Sequence, residues 1–249
     1  MKIIGVIPAR YGSSRFPGKP LAPIAGKPLL QWVIEGARTA KCLSDIYVAT
    51  DHSEIFQLAE SCGVRAIMTE PDLASGSDRV WAALKDMECE VAVNIQGDEP
   101  LLTGDLLDSL VAPFEEDIHL EMATLGRALK PGDLESMSAA KVIVNQRHEA
   151  IYFSRFPIPY SRIDAKQLPQ VCYKHIGLYA YRKSFLKVFC EHGPANLELA
   201  EGLEQLRALF LGARIRMVQV EEDSWGVDTP EDVAKIEAMI QKRRGHGRS

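Results

Sequence analysis

Long apolar runs are missing from this 249-residue chain, and no stretch reaches the length of a membrane span. The opening Met1-Lys2-Ile3-Ile4-Gly5-Val6-Ile7-Pro8 is too short for the core of a signal peptide and has no small-residue cleavage site after it. Cysteine is sparse and odd in number. Cys42, Cys62, Cys89, Cys172 and Cys190 are far apart and never form a C-x-x-C pair, which argues against a disulfide framework and against a zinc site. Reduced thiols in a cytoplasmic protein are the expectation. An excess of positive charge is also lacking. The net charge of −5 speaks against a general nucleic-acid binder, although basic residues can still gather around a small anion. The basic end, from Lys242 to Ser249, reads as a solvated tail.

What is present is a core-forming chain. Hydrophobic residues make up 46% and charged residues 25%, which excludes a disordered polymer. Short apolar runs alternate with amphipathic stretches. Strands are expected at 2–8, 45–50, 65–68 and 90–95, and helices at 29–40, 53–62, 77–86 and 103–114. This βαβα order predicts an α/β fold with a mostly parallel central sheet and helices on both faces. Right-handed crossovers place every strand-to-helix loop on one edge, where ligands of such sheets bind. The rhythm breaks at about 119–181. Strand-like runs there (122–125, 141–144, 151–154 and 175–181) alternate with loops rich in proline and polar residues, and predict an inserted antiparallel lobe on a single domain spanning 1–249. A helix over 197–211, a strand over 214–220 and a last helix from Thr229 restore the pattern.

The loop after the first strand reads Pro8-Ala9-Arg10-Tyr11-Gly12-Ser13-Ser14-Arg15-Phe16-Pro17-Gly18-Lys19-Pro20. Its small residues let the backbone approach a ligand, and Arg10, Arg15 and Lys19 supply three cations. That suits a triphosphate, whose charge must be neutralised before displacement. An ordinary polar loop with solvated cations fits the composition equally well; the position after the first strand favours function. It is not a P-loop, because Pro20 stands where Ser or Thr should open a helix. Asp98, in Gln96-Gly97-Asp98-Glu99-Pro100, follows a strongly apolar run and should enter the same crevice. In Gly226-Val227-Asp228-Thr229-Pro230-Glu231-Asp232, helix initiation accounts for Thr229 as N-cap, Pro230 as first helical residue and Asp232 as capping-box partner. It leaves Asp228 unexplained. Two carboxylates from separate loops suit Mg²⁺, which takes a few carboxylates plus phosphate and water.

With these residues in view the chain resembles the 3-deoxy-manno-octulosonate (Kdo) cytidylyltransferases, also called CMP-Kdo synthetases. The resemblance rests on six segments in order: the loop through Leu21, Gln96 to Pro100, Tyr152-Phe153-Ser154-Arg155, His175-Ile176-Gly177-Leu178-Tyr179, Leu203-Glu204-Gln205-Leu206-Arg207, and Val227 to Asp232. It spans about 3–236. It implies a Rossmann-like fold, a homodimer, and attack of the anomeric hydroxyl of an acidic 3-deoxy sugar on the α-phosphate of CTP, for lipopolysaccharide biosynthesis. It implies nucleotide contacts at Pro8, Ala9, Arg10, Arg15, Lys19, Ser75, Gly76 and Arg79. Sugar-acid contacts are implied at Gln96, Arg155, His175, Tyr179, Glu204 and Gln205. Asp98 and Asp228 become the Mg²⁺ ligands, and with Arg10 and Lys19 the catalytic set.

Apart from the resemblance, His175 and Tyr179 read as core residues, and Glu204 as an exposed helix carboxylate. Leu203, Leu206, Leu209 and Phe210 read as a core stripe. Arg155, Arg162 and Lys174 fit either surface charge or a carboxylate site. Family members carry His-Gln-Ser-Gly where this chain has Leu73-Ala74-Ser75-Gly76, and a relative that activates the 8-amino sugar also lacks the His-Gln pair. Other readings stay open on sequence: a nucleotidyltransferase for a sialic acid or a sugar 1-phosphate, or a non-catalytic nucleotide-sensing module. The paired aspartates disfavour the last, since a sensor need not keep two metal ligands.

Overall fold

The computed structural model describes residues 1–12, 15–160, 162 and 171–246. Ser13 and Ser14 of the first loop and Gly247, Arg248 and Ser249 of the basic tail lie outside them. The chain forms two compact units, one from Lys2–Asp108 with Ser224–Ser249 and one from Ser109–Asp223.

The first unit opens with strand β1 (Ile3–Ala9). Ile3, Ile4, Val6 and Ile7 are all buried, so both faces of the strand are covered, as a central parallel strand requires. A small hairpin follows, β2 (Pro23–Ile24) against β3 (Lys27–Pro28), and then helix α1 (Leu29–Ala37). Strand β4 (Asp45–Thr50), helix α2 (Ser53–Ser61), β5 (Arg65–Met68), α3 (Gly76–Leu84) and β6 (Val91–Asn94) complete the alternation. The sheet order is β6-β1-β4-β5, with every pairing parallel. The expected α/β architecture with a parallel sheet is therefore present, and its strand-to-helix loops share one edge. The helix expected over 103–114 divides in two: α4 (Gly104–Val111) and the short α5 (Pro113–Glu116), because Pro113 opens a new turn.

The second unit holds β7 (Met122–Ala128), β8 (Lys141–Val144), β9 (Ala150–Ser154) and β10 (Cys172–Arg182). β10 runs antiparallel to β7 and β8, and β8 antiparallel to β9. The expected antiparallel insertion at about 119–181 lies inside this unit. Helices α6 (Lys183–His192), α7 (Asn196–Glu201) and α8 (Leu206–Phe210) lead to β11 (Ile215–Gln219), which pairs parallel with β7.

The single helix expected over 197–211 is not there. Gly202 adopts a left-handed conformation (φ 62°) and ends α7, so Glu204 and Gln205 sit in the turn before α8 and not on a helix. Phe210 is 53% exposed and leaves the expected core stripe, whereas Leu203 and Leu206 are buried. The buried Arg207 clamps the break, with Nε and Nη2 on the two Glu198 oxygens at 2.8 and 2.6 Å. The chain then returns to the first unit for α9 (Pro230–His246). Asp232 Oδ2 accepts the N–H groups of Asp228 and Thr229 at 3.0 and 2.9 Å, so the Asp232 half of the expected capping box is formed. The Thr229 hydroxyl donates to the same oxygen at 3.3 Å, and the Asp232 N–H goes to Thr229 O.

Candidate active site

In the first unit the loop after β1 folds back on itself. Gly18 takes φ 69° and donates its N–H to Tyr11 O at 2.9 Å, and Lys19–Leu21 forms a 3-10 turn. Tyr11 donates its own N–H to Asp51 Oδ1 at 3.0 Å and stacks on His52 with ring centroids 4.1 Å apart. The loop is thus pinned to the carboxyl end of β4. The result is a pocket of about 260 Å³ at the carboxyl edge of the parallel sheet. All eight residues assigned to the nucleotide line it: Pro8, Ala9, Arg10, Arg15, Lys19, Ser75, Gly76 and Arg79. So do Gln96, Asp98 and Asp228, together with Leu73 and Ala74.

The two aspartates meet. Val227 donates its N–H to Asp98 O at 2.9 Å, which splices their segments together. Lys19 Nζ lies 2.7 Å from Asp98 Oδ2 and 3.9 Å from Asp228 Oδ1, and Arg15 Nη2 lies 3.1 Å from the same Asp228 oxygen. A β-carbon on residue 97 would come within 2.6 Å of Pro8 O, so the turn that presents Asp98 requires glycine there.

Ser75 and Arg79 shape the opposite wall. Ser75 caps α3, with Oγ accepting the Asp78 N–H at 3.2 Å. The Arg79 guanidinium is buried and binds Thr69 Oγ1, Glu70 O at 3.1 Å and Pro71 O at 3.5 Å. It lies 3.6 Å from Asp51. Burial lowers its pKa, Asp51 draws it back up, and Arg10 pushes it down again. Arg79 is therefore both a pocket-lining cation and the brace of the loop from Thr69 to Pro71. Sequence reasoning missed Asp51, which holds the first loop and faces Arg79. The signal was its place directly after β4, in a loop already expected to carry chemistry.

The second unit gathers most of the residues assigned to the sugar acid. His175 is buried and its pKa is lowered by burial to about 3, so the imidazole is neutral. Its Nε2 lies 2.9 Å from Thr124 Oγ1 and its Nδ1 3.5 Å from Gln205 Nε2. Tyr179 donates its hydroxyl to Gln205 Oε1 at 3.1 Å. Glu204 is half-buried in the adjoining turn. Arg155 spreads its guanidinium over the carbonyls of Glu201, Met137 and Gly202, at 3.3, 3.3 and 3.4 Å. The fully buried Lys141 ammonium holds Arg155 O together with Ser136 O and Ala139 O. Lys174 pairs with Asp223 at 2.7 Å, which places it in an ion cluster with Arg127. Arg162 is exposed.

The family model described as Cytidylyltransferase matches residues 4–215. The chain is 55% identical to a 3-deoxy-manno-octulosonate cytidylyltransferase of Bdellovibrio bacteriovorus, over 98% of this chain and 99% of that one. It is 45% identical to an 8-amino-3,8-dideoxy-manno-octulosonate cytidylyltransferase of Shewanella frigidimarina, over 96% and 99%. A solved CMP:2-keto-3-deoxy-manno-octonic acid synthetase complexed with CTP superposes with a TM-score of 0.92 at 40% identity, covering 98% of this chain and 100% of that one. A pocket built on a parallel sheet edge, six matching segments and near-complete coverage agree: the chain belongs to the 3-deoxy-manno-octulosonate cytidylyltransferases, within the cytidylyltransferase family.

Proposed function

We propose that this protein transfers CMP from CTP to a 3-deoxy-manno-octulosonate, Kdo or its 8-amino analogue, and releases pyrophosphate for lipopolysaccharide biosynthesis. One observation carries the reading. Two carboxylates from separate loops converge on a single ammonium at 2.7 and 3.9 Å, inside a pocket that also presents Arg10 and Arg15. A centre that must hold a cation against a triphosphate needs this combination of acid and base.

The donor set fits Mg²⁺. Asp98 and Asp228 offer hard oxygens within reach of one cation. Two protein carboxylates would leave the other positions to water and phosphate, which is the Mg²⁺ habit. Bound there, the ion would supply charge neutralisation at the α-phosphate and would make the attacking hydroxyl more acidic. The chain does the rest. The capped start of α3 at Ser75-Gly76 lets phosphate oxygens approach main-chain N–H groups, and Pro8 and Ala9 line the pocket beside it. Arg10, Arg15 and Lys19 stabilise the charge that grows on the departing pyrophosphate. The anomeric hydroxyl loses its proton to solvent as its oxygen forms the new bond to α-phosphorus, and the bond from α-phosphorus to the oxygen bridging to the β-phosphate breaks to release pyrophosphate. The resemblance assigns Gln96, Arg155, His175, Tyr179, Glu204 and Gln205 to the sugar acid.

A cytoplasmic homodimer completes the proposal. The resemblance supports the dimer, and five cysteines with no disulfide among the described residues suit a reducing compartment. Among the described residues no helix is long and apolar enough to cross a membrane. Leu73 and Ala74 line the nucleotide pocket; the resemblance puts His-Gln at these positions in other members, and its replacement supports the 8-amino sugar as the substrate.

The test is pyrophosphate release from each of the four nucleoside triphosphates, with Mg²⁺ and a panel of acid sugars. CTP with an octulosonate should be the productive pair, and the 8-amino sugar should give the higher kcat/KM. Equal release with UTP or ATP would contradict the base preference. A higher kcat/KM for the 8-hydroxy sugar would contradict the role given to Leu73-Ala74. No release from any pair would leave a nucleotide sensor.

A further inference from the structure

Thr124 sits in the middle of β7, fully buried, opposite the place where the β7–β10 register slips between Ile176 and Tyr179. A slip of this kind strips carbonyls of their ladder partners. The Thr124 hydroxyl stands at the gap, 3.2 Å from Ile176 O, 2.9 Å from Leu178 O and 2.9 Å from His175 Nε2.

A hydroxyl has one proton, and a carbonyl oxygen can only accept. With its proton turned to His175, the hydroxyl oxygen would face both carbonyl oxygens lone pair to lone pair, so the proton goes to the carbonyls. What remains for His175 is a lone pair, so Nε2 must carry the imidazole proton and donate it. The opposite nitrogen, Nδ1, is then the acceptor and faces the Gln205 amide nitrogen at 3.5 Å. With its NH₂ turned to His175, Gln205 presents Oε1 to the Tyr179 hydroxyl at 3.1 Å. Each donor direction in this chain follows from the one before it, and the first is set at Thr124.

We infer that Thr124 is a positioning residue for the sugar-acid side of the reaction: it fixes the tautomer of His175 and, through it, the orientation of Gln205 and Tyr179. The inference rests on the proposed placement of these three residues at the sugar acid. Removing the hydroxyl while keeping the shape, as in Thr124→Val, leaves a buried Nε2–H without an acceptor. The imidazole then gains by moving its proton to Nδ1. There it meets the Gln205 NH₂, donor against donor, and the amide must turn its oxygen away from Tyr179. His175 stays neutral throughout because burial holds its pKa near 3, so the change is one of tautomer and not of charge.

The experiment combines kinetics with ¹⁵N NMR of protein labelled at histidine. The unaltered protein should show His175 protonated at Nε2; a signal for the Nδ1–H form would overturn the inference without any variant. Thr124→Val should raise the KM for the octulosonate about tenfold, the usual scale for a buried donor left unmade, and move the His175 proton. The KM for CTP should change less than about twofold, and Thr124→Ser should restore the sugar KM. An unchanged sugar KM in Thr124→Val, a parallel rise in both KM values, or no restoration by serine would overturn it. Gln205→Met separates the two levels. If its sugar KM rises while that of Thr124→Val does not, only the role of Thr124 fails. If its sugar KM is also unchanged, the placement of the whole network at the sugar acid fails with it.

Discussion

Lys19 Nζ lies 2.7 Å from Asp98 Oδ2 and reaches toward Asp228 Oδ1 at 3.9 Å, so one ammonium serves two carboxylates that are 130 residues apart in the chain (228 − 98 = 130). Asp98 follows β6 and Asp228 precedes α9, so both are presented from the ends of regular elements. The ammonium balances the charge of both carboxylates. A partly exposed pair of this kind adds about 1 kcal/mol or less to stability, so its significance is electrostatic and local.

Lys19→Met should separate those roles. Loss of a charge that stabilises the leaving group should lower kcat/KM about a hundredfold or more. The melting temperature should barely move. Pyrophosphate release and a thermal melt on the same preparation check both. Near-normal turnover would mean that Lys19 is only a counter-ion.

Arg79 should behave differently. It is 2% exposed, donates to Thr69, Glu70 and Pro71, and faces a half-buried Asp51. Arg79→Met leaves those acceptors and the Asp51 charge without their cation, and should cost about 3 kcal/mol in urea denaturation. Weaker CTP binding should accompany it, because the loop leading to Ser75 loses its brace. A loss below about 1 kcal/mol would show that water replaces the guanidinium.

The depressed pKa of His175 makes stability depend on pH. The unfolded chain takes up the proton near the ordinary value of 6.5, whereas the folded chain resists it down to about 3. The contribution is complete above 6.5 and is lost as pH falls. Each pH unit in that window costs about 1.4 kcal/mol, or about 2 kcal/mol by pH 5. His175→Gln should flatten the fall in folding free energy between pH 7 and pH 5, measured by denaturant titration. A slope equal to that of the unaltered protein would contradict the buried neutral imidazole.

Much of the fold was legible because its signals are local. The consecutive burial of Ile3, Ile4, Val6 and Ile7, and the alternation of strands with amphipathic helices, determine a parallel sheet and hence the edge where Arg10, Lys19 and Asp98 gather. The Thr229–Asp232 cap could be read for the same reason. The break between α7 and α8 could not, because it depends on Gly202 taking a left-handed turn and on Arg207 reaching Glu198. Phe210 looked like core while 197–211 was read as one helix; the break turns it outward. Arg79 and Thr124 gave no local hint of their partners: a cation on an amphipathic helix reads as solvated, and a threonine in a strand reads as neutral filler.

The central claim is that Asp98 and Asp228 act as one cation-holding unit in phosphoryl transfer. Its most direct test is single-turnover pyrophosphate release by Asp98→Asn, Asp228→Asn and the double variant, with CTP, an octulosonate and saturating Mg²⁺. Asparagine keeps the shape, and the Val227 N–H still finds the main-chain oxygen of residue 98, so all three should fold. Each single variant should lose about a hundredfold or more in rate, with the double variant little worse than either. Near-normal turnover in Asp228→Asn would show that the two carboxylates do not share a role.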